Sequence, residues 1–253
     1  MAAVSAGTGR VVSAQVDHIW VPRLLTAGKR VVVLLHGQLQ TGQEWNDITN
    51  TPFQSAVAQA VTDAGMACAS IYGDGAAWGN DTQLADLETL RTSLPTLIPG
   101  CNNDKLLIIG ASMGGLWGFN YMRAHPTLVA AYVGIMPASD MDDIRDNNRG
   151  GTTQANINTA WGMPVGSTSG TNALPTRANP NSSANAALIA SSGAPIKMYY
   201  STADTIVVPA TVTSLATKLG VTPTIISNSL DHSDALIGAA PLGEITTLLA
   251  QNS

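Results

Sequence analysis

A stretch near the middle of the chain places a serine between an apolar run and a helical pattern. The run Lys105–Ile109 is typical of a buried strand, and Gly110-Ala111-Ser112-Met113-Gly114 follows it directly. Apolar residues then continue at helical spacing up to His125-Pro126, where a helix should end. A chain that turns sharply from strand to helix at a serine needs tiny residues two positions before and after it, because larger side chains would collide. The segment therefore predicts an elbow that exposes the Ser112 hydroxyl at the end of a strand.

Strand and helix patterns alternate along most of the chain. Apolar runs that suit strands buried on both faces recur between stretches with apolar residues at helical spacing. Strands are predicted at Arg10–Val16, His18–Leu25, Arg30–Leu35, Met66–Ile71, 105–109, Val129–Met136, Pro195–Ser201 and Thr222–Ser227. Helices are predicted around 53–64, 81–94, 113–124 and 209–219, with a final helix that runs to about Leu249. This order predicts an α/β fold with right-handed crossovers and a mainly parallel sheet.

One long segment interrupts the alternation. Residues 140–194 are rich in Asn, Thr, Ser and Gly and lie between two predicted strands, at the sheet edge where ligands bind. A structureless loop of this length is rare inside a compact domain. We predict a single domain over 1–253, in which 140–194 is a partly helical cap or an ordered binding loop. A surface excursion without a role is the alternative.

Ser112 needs a base, and the four histidines differ in their suitability. A serine hydroxyl becomes a competent nucleophile when an imidazole takes its proton and a carboxylate orients that imidazole. His18 and His36 belong to early strand patterns, and His125 ends a helix before proline. Only His232 falls in a loop from which it can reach the elbow, between the last strand and the last helix. His232 is the predicted general base, and activity should rise as it loses its proton near neutrality.

The carboxylate partner of the base is expected after a strand that lies between serine and histidine in the sequence. Asp204 follows such a strand and is the predicted acid. Asp140 or Asp142 is the rival, because it follows the preceding predicted strand and could serve the same histidine from one strand over. Asp231 and Asp234 lie too close in sequence to the base and are interpreted as a turn residue and a helix-start charge.

Two backbone donors should stabilise the oxyanion that forms during acyl transfer. The N–H of Met113 is the first candidate, because it opens the helix after Ser112. The second is expected in the loop after the strand Arg30–Leu35, where His36-Gly37 lets the backbone turn beneath a substrate. The N–H of Gln38 is the candidate there.

These segments together resemble the α/β-hydrolase family over nearly the whole chain. The matching residues are the His36-Gly37 turn with Trp45 downstream, the Gly110–Gly114 elbow, the segment from Asp204 to Pro209, and Asp231-His232. They occur in the family's chain order of nucleophile, acid and base. The resemblance implies a mostly parallel eight-stranded sheet flanked by helices, with a cap inserted after the sixth strand, where 140–194 falls. It also implies hydrolysis of esters, thioesters or related acyl groups without a cofactor.

The predicted function is therefore that of a serine hydrolase that cleaves carboxylic esters through an acyl-enzyme on Ser112. The substrate is a small-molecule or polymeric ester, with His232 as base and Asp204 as orienting acid. The alternative from another class is a binding module, in which the hydrolase fold is kept for recognition and the long cap provides the contact surface.

The charge and composition of the chain limit the classes of molecule that it is expected to bind. A formal net charge of −5 and the absence of a Lys/Arg cluster argue against nucleic-acid binding. The longest apolar runs are strand-sized, so no transmembrane segment is predicted, and the N-terminus has no signal-peptide pattern. A surface poor in Lys and rich in Asn and Thr leans toward an extracellular or particle-borne protein.

Neither a metal nor a disulfide framework is predicted. The sequence has no His-x-x-x-His and no paired cysteines, and Asp140-Met141-Asp142-Asp143 lacks the glycine spacing of a dedicated calcium loop. Cys68 lies in a core strand pattern and Cys101 in a loop. Whether these two cysteines pair is left open by the sequence.

Overall fold

The fold is organised around one sheet, seen in a computed structural model that describes residues 16–38, 40–47, 49–173 and 175–253. Seven strands of these ranges have the order β1-β3-β2-β4-β5-β6-β7. β1 is antiparallel to β3, and all other neighbours are parallel. The strands are β1 (Val16–Trp20), β2 (Arg30–Leu35), β3 (Cys68–Ile71), β4 (Asn102–Ala111), β5 (Val129–Ile135), β6 (Ile196–Ser201) and β7 (Thr224–Ser227).

Helices cover both faces of the sheet. They are α1 (Pro52–Asp63), α2 (Asp81–Leu97), α3 (Met113–Ala124), α4 (Met141–Asp146), α5 (Thr153–Ala160), α6 (Ser183–Ala190), α7 (Pro209–Leu219), α8 (Asp234–Ala239) and α9 (Leu242–Gln251). Short 3₁₀ turns occur at Gln43–Trp45 and Pro175–Ala178. The apolar residues of α1, α8 and α9 share one core layer, and those of α2, α3 and α7 share the other.

The central strands are buried on both faces, as their continuous apolar runs predict. In β4, Leu106 and Ile108 enter one core layer, whereas Leu107 and Ile109 enter the other. Successive side chains of a strand point to opposite faces, so an uninterrupted apolar run suits a strand that is covered on both sides. The apolar run before Ser112 therefore keeps β4 buried between the two core layers.

The parallel register brings several loops to one edge of the sheet. Leu35 of β2 is paired with Gly110 of β4, and Ala111 of β4 is paired with Ile135 of β5. These strands therefore end at the same level, and the loops after β2, β4, β5 and β6 share the edge beyond their carboxyl ends. That edge is where open α/β sheets bind ligands.

The cap at 140–194 follows β5 and contains α4, α5, the second 3₁₀ turn and α6. Its first residue, Asp140, begins α4 by accepting a hydrogen bond from the Asp143 N–H at 3.1 Å. The same carboxylate accepts from Nδ2 of Asn179 at 2.8 Å and from Nδ2 of Asn181 at 2.7 Å. Nζ of Lys218, in α7, donates to Oδ1 of Asn181 at 2.9 Å. The start of the cap is thus joined to the segment before α6, and that segment is joined to a helix of the main fold.

The structure differs from the sequence predictions at both ends of the chain. β1 ends at Trp20 rather than Leu25, because Pro22 cannot donate a hydrogen bond to a sheet. The predicted final helix is two helices, α8 and α9, separated at Pro241, which cannot continue the helical hydrogen bonds. The predicted run Arg10–Val16 lies outside the described residues except for its last position, so the described sheet has seven strands where eight were predicted.

Both cysteines are free thiols. Cys68 is fully buried in β3, and burial raises the pKa of its thiol to about 12. Cys101, half-buried before β4, also has a thiol pKa above its ordinary value because of burial. Among the helices of the described ranges, none has the length and apolar content to cross a bilayer.

Candidate active site

The serine elbow is built from a strained residue between close-packed glycines. Ser112 has φ 51° and ψ −117°, a left-handed backbone region that non-glycine residues seldom occupy. A methyl group on Gly110 would lie 2.5 Å from the backbone oxygen of Gly114, and one on Gly114 would overlap the backbone oxygen of Leu35. Only glycine fits at these two positions, which explains why the predicted spacing of small residues is needed.

The three residues predicted as nucleophile, base and acid lie in one hydrogen-bonded chain. Oγ of Ser112 is 2.8 Å from Nε2 of His232, and Nδ1 of His232 is 2.8 Å from Oδ2 of Asp204. With the proton on Nδ1, the imidazole donates to the carboxylate and accepts from the hydroxyl. The side chain of Asp204 is 1% exposed and that of His232 is 12% exposed. The two contacts place a hydroxyl, an imidazole and a buried carboxylate in one hydrogen-bonded series, in the order that the sequence predicts.

The Asp204 carboxylate is held by the loop that follows it. Oδ1 accepts hydrogen bonds from the backbone N–H groups of Ile206 at 2.9 Å and Val207 at 2.8 Å. Oδ2 is thereby turned toward the imidazole of His232. Because the donors are backbone groups, the direction of the acid is set by the loop fold rather than by neighbouring side chains.

The carboxylate of Asp231 connects two loops at the site. The loop that follows Asp204 is called the acid loop here, and the loop that carries His232 is called the base loop. Oδ1 of Asp231 accepts from the Thr205 N–H at 2.9 Å, from the Thr205 hydroxyl at 2.9 Å and from the His232 N–H at 2.7 Å. Hydrogen bonds from these backbone groups, that of Thr205 first, hold the pKa of Asp231 below its ordinary value. The Ser201 hydroxyl adds a tie to the Leu230 carbonyl at 2.6 Å. His232 is therefore carried by a loop that is hydrogen-bonded to the end of β6 and to the acid loop.

One of the two predicted oxyanion donors, Gln38, lines the same cleft as Ser112. Gly37 packs against the serine, since a methyl group on it would lie 3.6 Å from Cβ of Ser112. The Gly37 N–H donates to Oε1 of Gln40 at 2.8 Å, and Nε2 of Gln40 donates to Oδ1 of Asp234 at 3.4 Å. Within the described ranges, the N–H of Gln38 donates to no other group, so it is available to a ligand.

Met113 is placed at the first position of α3. Its N–H likewise has no acceptor among the described residues, as expected for the first turn of a helix. The positive end of the α3 dipole coincides with this N–H, which favours negative charge there. Gln38, in the turn after β2, and Met113, at the start of α3, thus belong to two different segments of the chain near Ser112.

A cleft of about 240 Å³ opens at Ser112 and His232. Residues of the main fold supply most of its wall, and the cap supplies part of its roof. The main-fold residues are Gly37, Gln38, Gln40, Trp78, Ala111, Met136, Ala138, Ile206, Val207, Ser233 and Asp234, and the cap residues are Ile144, Gly150, Thr152 and Thr153.

The rival acids are engaged elsewhere. Asp140 caps α4 and binds the two cap asparagines, and Oδ2 of Asp142 accepts from Asn179 at 2.9 Å. Among the described residues, no cluster of three or more His, Cys, Asp or Glu side chains is arranged to hold a metal ion. The hydrogen bonds of Asp140 and Asp142 to these asparagines therefore join parts of the cap.

The other three histidines have different structural positions. The ring nitrogens of His36 lie 2.7 Å from the Gly37 carbonyl and 2.9 Å from the Tyr72 carbonyl, so His36 supports the turn that carries Gln38. His125 is the C-terminal cap residue of α3. His18 lies in β1, where burial lowers its pKa.

The sequence interpretation missed two residues that organise the site. The sequence pattern indicates only a turn at Asp231, although its position next to the predicted base is a usable signal. The sequence predicts no role for Gln40, although it lies only three residues beyond Gly37, and its Oε1 accepts a hydrogen bond from the Gly37 N–H. Its other partner, Asp234, is 194 residues away in sequence, and no local pattern indicates that contact.

The sheet order, the elbow after β4 and the helices on both faces define the α/β-hydrolase fold, as the sequence resemblance implied. Comparison with solved structures agrees with this class. FphF, a fluorophosphonate-binding serine hydrolase of Staphylococcus aureus, is 11% identical with a TM-score of 0.65, and the alignment covers 98% of this chain and 97% of FphF. Est1E from Butyrivibrio proteoclasticus is 12% identical with a TM-score of 0.62, covering 92% of this chain and 90% of Est1E.

A third similar structure is an S-formylglutathione hydrolase from Agrobacterium tumefaciens. It is 13% identical with a TM-score of 0.64, and the alignment covers 92% of this chain and 88% of the hydrolase. At these identities the likeness establishes the fold alone. No protein-family model matches the chain, and no curated protein matches its sequence.

Proposed function

We propose that the protein is a serine hydrolase that cleaves carboxylic esters. The observation that carries the proposal is the continuous chain of two 2.8 Å contacts from Ser112 through His232 to Asp204. A hydroxyl, an imidazole and a buried carboxylate in this order are what nucleophilic acyl transfer requires. The named hydrolases among the similar structures add support from the fold.

In the proposed reaction, His232 removes the proton of Ser112 as its oxygen attacks the ester carbonyl carbon. The tetrahedral anion accepts hydrogen bonds from the N–H groups of Met113 and Gln38. The C–O bond to the alcohol then breaks, and the imidazolium gives its proton to the leaving oxygen. A water molecule, deprotonated by the same imidazole, attacks the acyl-enzyme, and the acid is released as Ser112 regains its proton. Asp204 holds the ring and stabilises its positive form throughout.

Covalent labelling with a fluorophosphonate probe tests the proposal. The wild-type protein should be labelled at Ser112 and should release a burst of p-nitrophenol from p-nitrophenyl acetate. Ser112→Ala should abolish both signals while the protein remains folded. Ser191→Ala, a change at an exposed serine after α6, is the matched control and should retain both. A folded wild-type protein that stays unlabelled and hydrolyses no ester would instead favour the binding-module alternative.

A further inference from the structure

The side-chain amide of Gln40 lies between the turn after β2 and the first residue of α8, Asp234. Its Oε1 accepts a hydrogen bond from the Gly37 N–H at 2.8 Å, and its Nε2 donates to Oδ1 of Asp234 at 3.4 Å. These partners fix the orientation of the amide, because an N–H group requires the amide oxygen and a carboxylate requires the amide nitrogen. The segment 37–40 is called the oxyanion turn here, and the contact between Gln40 and Asp234 is called the bridge.

Gln40 also closes the oxyanion turn through its backbone. Its N–H donates to the Gly37 carbonyl at 3.3 Å, which is the bond that closes a four-residue turn. Gly37 is therefore held to Gln40 twice, through its carbonyl and through its N–H. The closing bond of such a turn does not use the N–H of the second residue, and here that residue is Gln38, the predicted oxyanion donor. The direction of the Gln38 N–H thus depends on how Gln40 holds Gly37.

The environment of Gly37 makes this acceptor important. Gly37 is buried, and a methyl group on it would lie 3.1 Å from Oε1 of Gln40 and 3.6 Å from Cβ of Ser112. A buried N–H that loses its acceptor costs about 1–3 kcal/mol, so the turn would move to find another partner. Because Gly37 packs against the nucleophile, such a movement would change the distance from Ser112 to the Gln38 N–H. Small displacements of this kind are costly in rate.

The two aspartates near His232 bind different loops. Oδ1 of Asp231 accepts from the Thr205 N–H in the acid loop, whereas Oδ1 of Asp234 accepts from Gln40 in the oxyanion turn. His232 lies between these aspartates in the chain. The segment that carries the base is therefore hydrogen-bonded both to the loop of its acid and to the turn of the oxyanion donor.

We propose that Gln40 is a positioning residue for acyl transfer. It holds the Gln38 N–H toward the carbonyl oxygen of an ester bound at Ser112, and Asp234 supports it through the bridge. This inference rests on the proposed function of Ser112. Gln40 acts through Gly37 and Gln38 rather than on the reacting atoms. Since an oxyanion forms in acylation and again in deacylation, Gln40 affects both steps.

Pre-steady-state hydrolysis of p-nitrophenyl acetate tests the inference. Gln40→Met retains an unbranched side chain but makes neither hydrogen bond. The rate constants of the burst and of the steady phase should both fall by about 10–10²-fold, because a displaced donor loses part of the roughly 10²–10³-fold that one oxyanion donor contributes. The burst amplitude should stay that of the wild type, since it counts folded sites and both steps slow together. A lower amplitude at unchanged rate constants would show a structural role alone and overturn the proposal.

An exchange of the two groups of the bridge separates its hydrogen bonds from local shape. In Gln40→Glu, one carboxylate oxygen can still accept from Gly37, but the other faces Asp234. Both rate constants should fall by about tenfold or more, because like charges in contact repel and displace the turn. Adding Asp234→Asn places an amide against the new carboxylate and restores the wild-type net charge. The double variant should recover most of the lost rate, and losses that simply multiply would contradict the bridge.

Gln43→Glu is the matched control for the added charge. Gln43 is an exposed residue of the 3₁₀ turn that follows the oxyanion turn, and it lies outside the cleft lining. Both rate constants of this variant should equal those of the wild type. A loss as large as that of Gln40→Glu would mean that net charge, and not the bridge, controls the rate.

Labelling of the wild type separates this inference from the proposed function. A wild-type protein labelled by the fluorophosphonate at Ser112, together with unchanged rate constants in Gln40→Met and Gln40→Glu, refutes the positioning role alone. A folded wild-type protein that is neither labelled nor active on any ester refutes the proposed function.

Discussion

Asp204 and Asp140 show how the hydrogen bonds of a carboxylate determine which residues it orients. Asp204 and Asp140 each follow a strand of the parallel sheet, and the sequence favours Asp204 as the partner of the predicted base, with Asp140 or Asp142 as the rival. In the structure, Oδ1 of Asp204 is held by two backbone N–H groups and Oδ2 reaches His232. Both oxygens of Asp140 are bound within the cap instead. The difference lies in the neighbours of each carboxylate and not in its residue type.

Asparagine substitutions at these two positions should therefore have different effects. Asp204→Asn should lower kcat by about 10⁴-fold, because the amide no longer orients the imidazole and stabilises its positive form. Asp140→Asn should leave kcat within the same order of magnitude. It should lower the free energy of unfolding by about 1–3 kcal/mol, because a cap asparagine loses its acceptor. Steady-state kinetics and urea unfolding measure both quantities, and a large kcat loss in Asp140→Asn would reverse the assignment.

Asp231 is predicted to position the base through its bonds to Thr205 and His232. Its pKa is lowered in the folded protein, so the carboxylate contributes stability at pH values above its ordinary pKa of about 3.9. That contribution is lost as the pH falls through the lower folded value. The melting temperature of Asp231→Asn should thus lie below that of the wild type at pH 7, and the difference should shrink at pH 3. kcat should also fall at pH 7, because the base loop is held less firmly.

Asp47→Asn is the matched control for this experiment. Asp47 carries a surface carboxylate whose pKa is also lowered, by hydrogen bonds from Asn50 first, but it lies outside the cleft lining. Its substitution should leave kcat unchanged. Equal kcat losses in the two variants would show that Asp231 has no special connection to His232.

At the scale of elements, the elbow depends on close contact between α3 and β2. Gly114→Ala would place a methyl group against the Leu35 backbone oxygen, and a backbone oxygen cannot move aside without disturbing β2. We expect a loss of about 3 kcal/mol or more in the free energy of unfolding. Gly243→Ala, in the first turn of α9, meets no atom within 4 Å and should stabilise the protein by up to about 1 kcal/mol. Chemical unfolding of both variants checks the contrast.

Some helix ends lie where the sequence predicts them and others do not. Prolines account for some of the differences. The helix α7 ends at Leu219, as the sequence predicts, and Gly220 follows it in the left-handed conformation. Pro241 divides the last helix, which the apolar pattern alone did not reveal. Pro95 lies inside α2 without ending it, and the Arg91 carbonyl that loses its helical donor accepts instead from Nδ2 of Asn103 at 3.2 Å. A proline is tolerated where another part of the chain supplies the missing donor.

At the scale of the whole molecule, stability relies on the two core layers and not on a covalent link. The native protein should titrate at most one thiol with Ellman's reagent, because Cys68 is buried and the pKa of its thiol is raised to about 12. Unfolding in guanidinium should expose both thiols. The melting temperature should not change with a thiol reductant. A titration of zero thiols in the unfolded, unreduced protein would reveal a disulfide.

The sequence alone was enough to predict the alternation of buried strands and helices, the elbow at Ser112 and the histidine that lies beside it. These features follow from short-range rules, namely side-chain periodicity, the need for glycine at tight turns and the lack of an N–H in proline. Tertiary contacts alone bring Asp204 rather than Asp140 to His232, join Gln40 to Asp234 and place cap residues in the wall of the cleft. These outcomes depend on contacts between residues far apart in the chain, and such contacts exist only once the sheet has brought its loops to one edge.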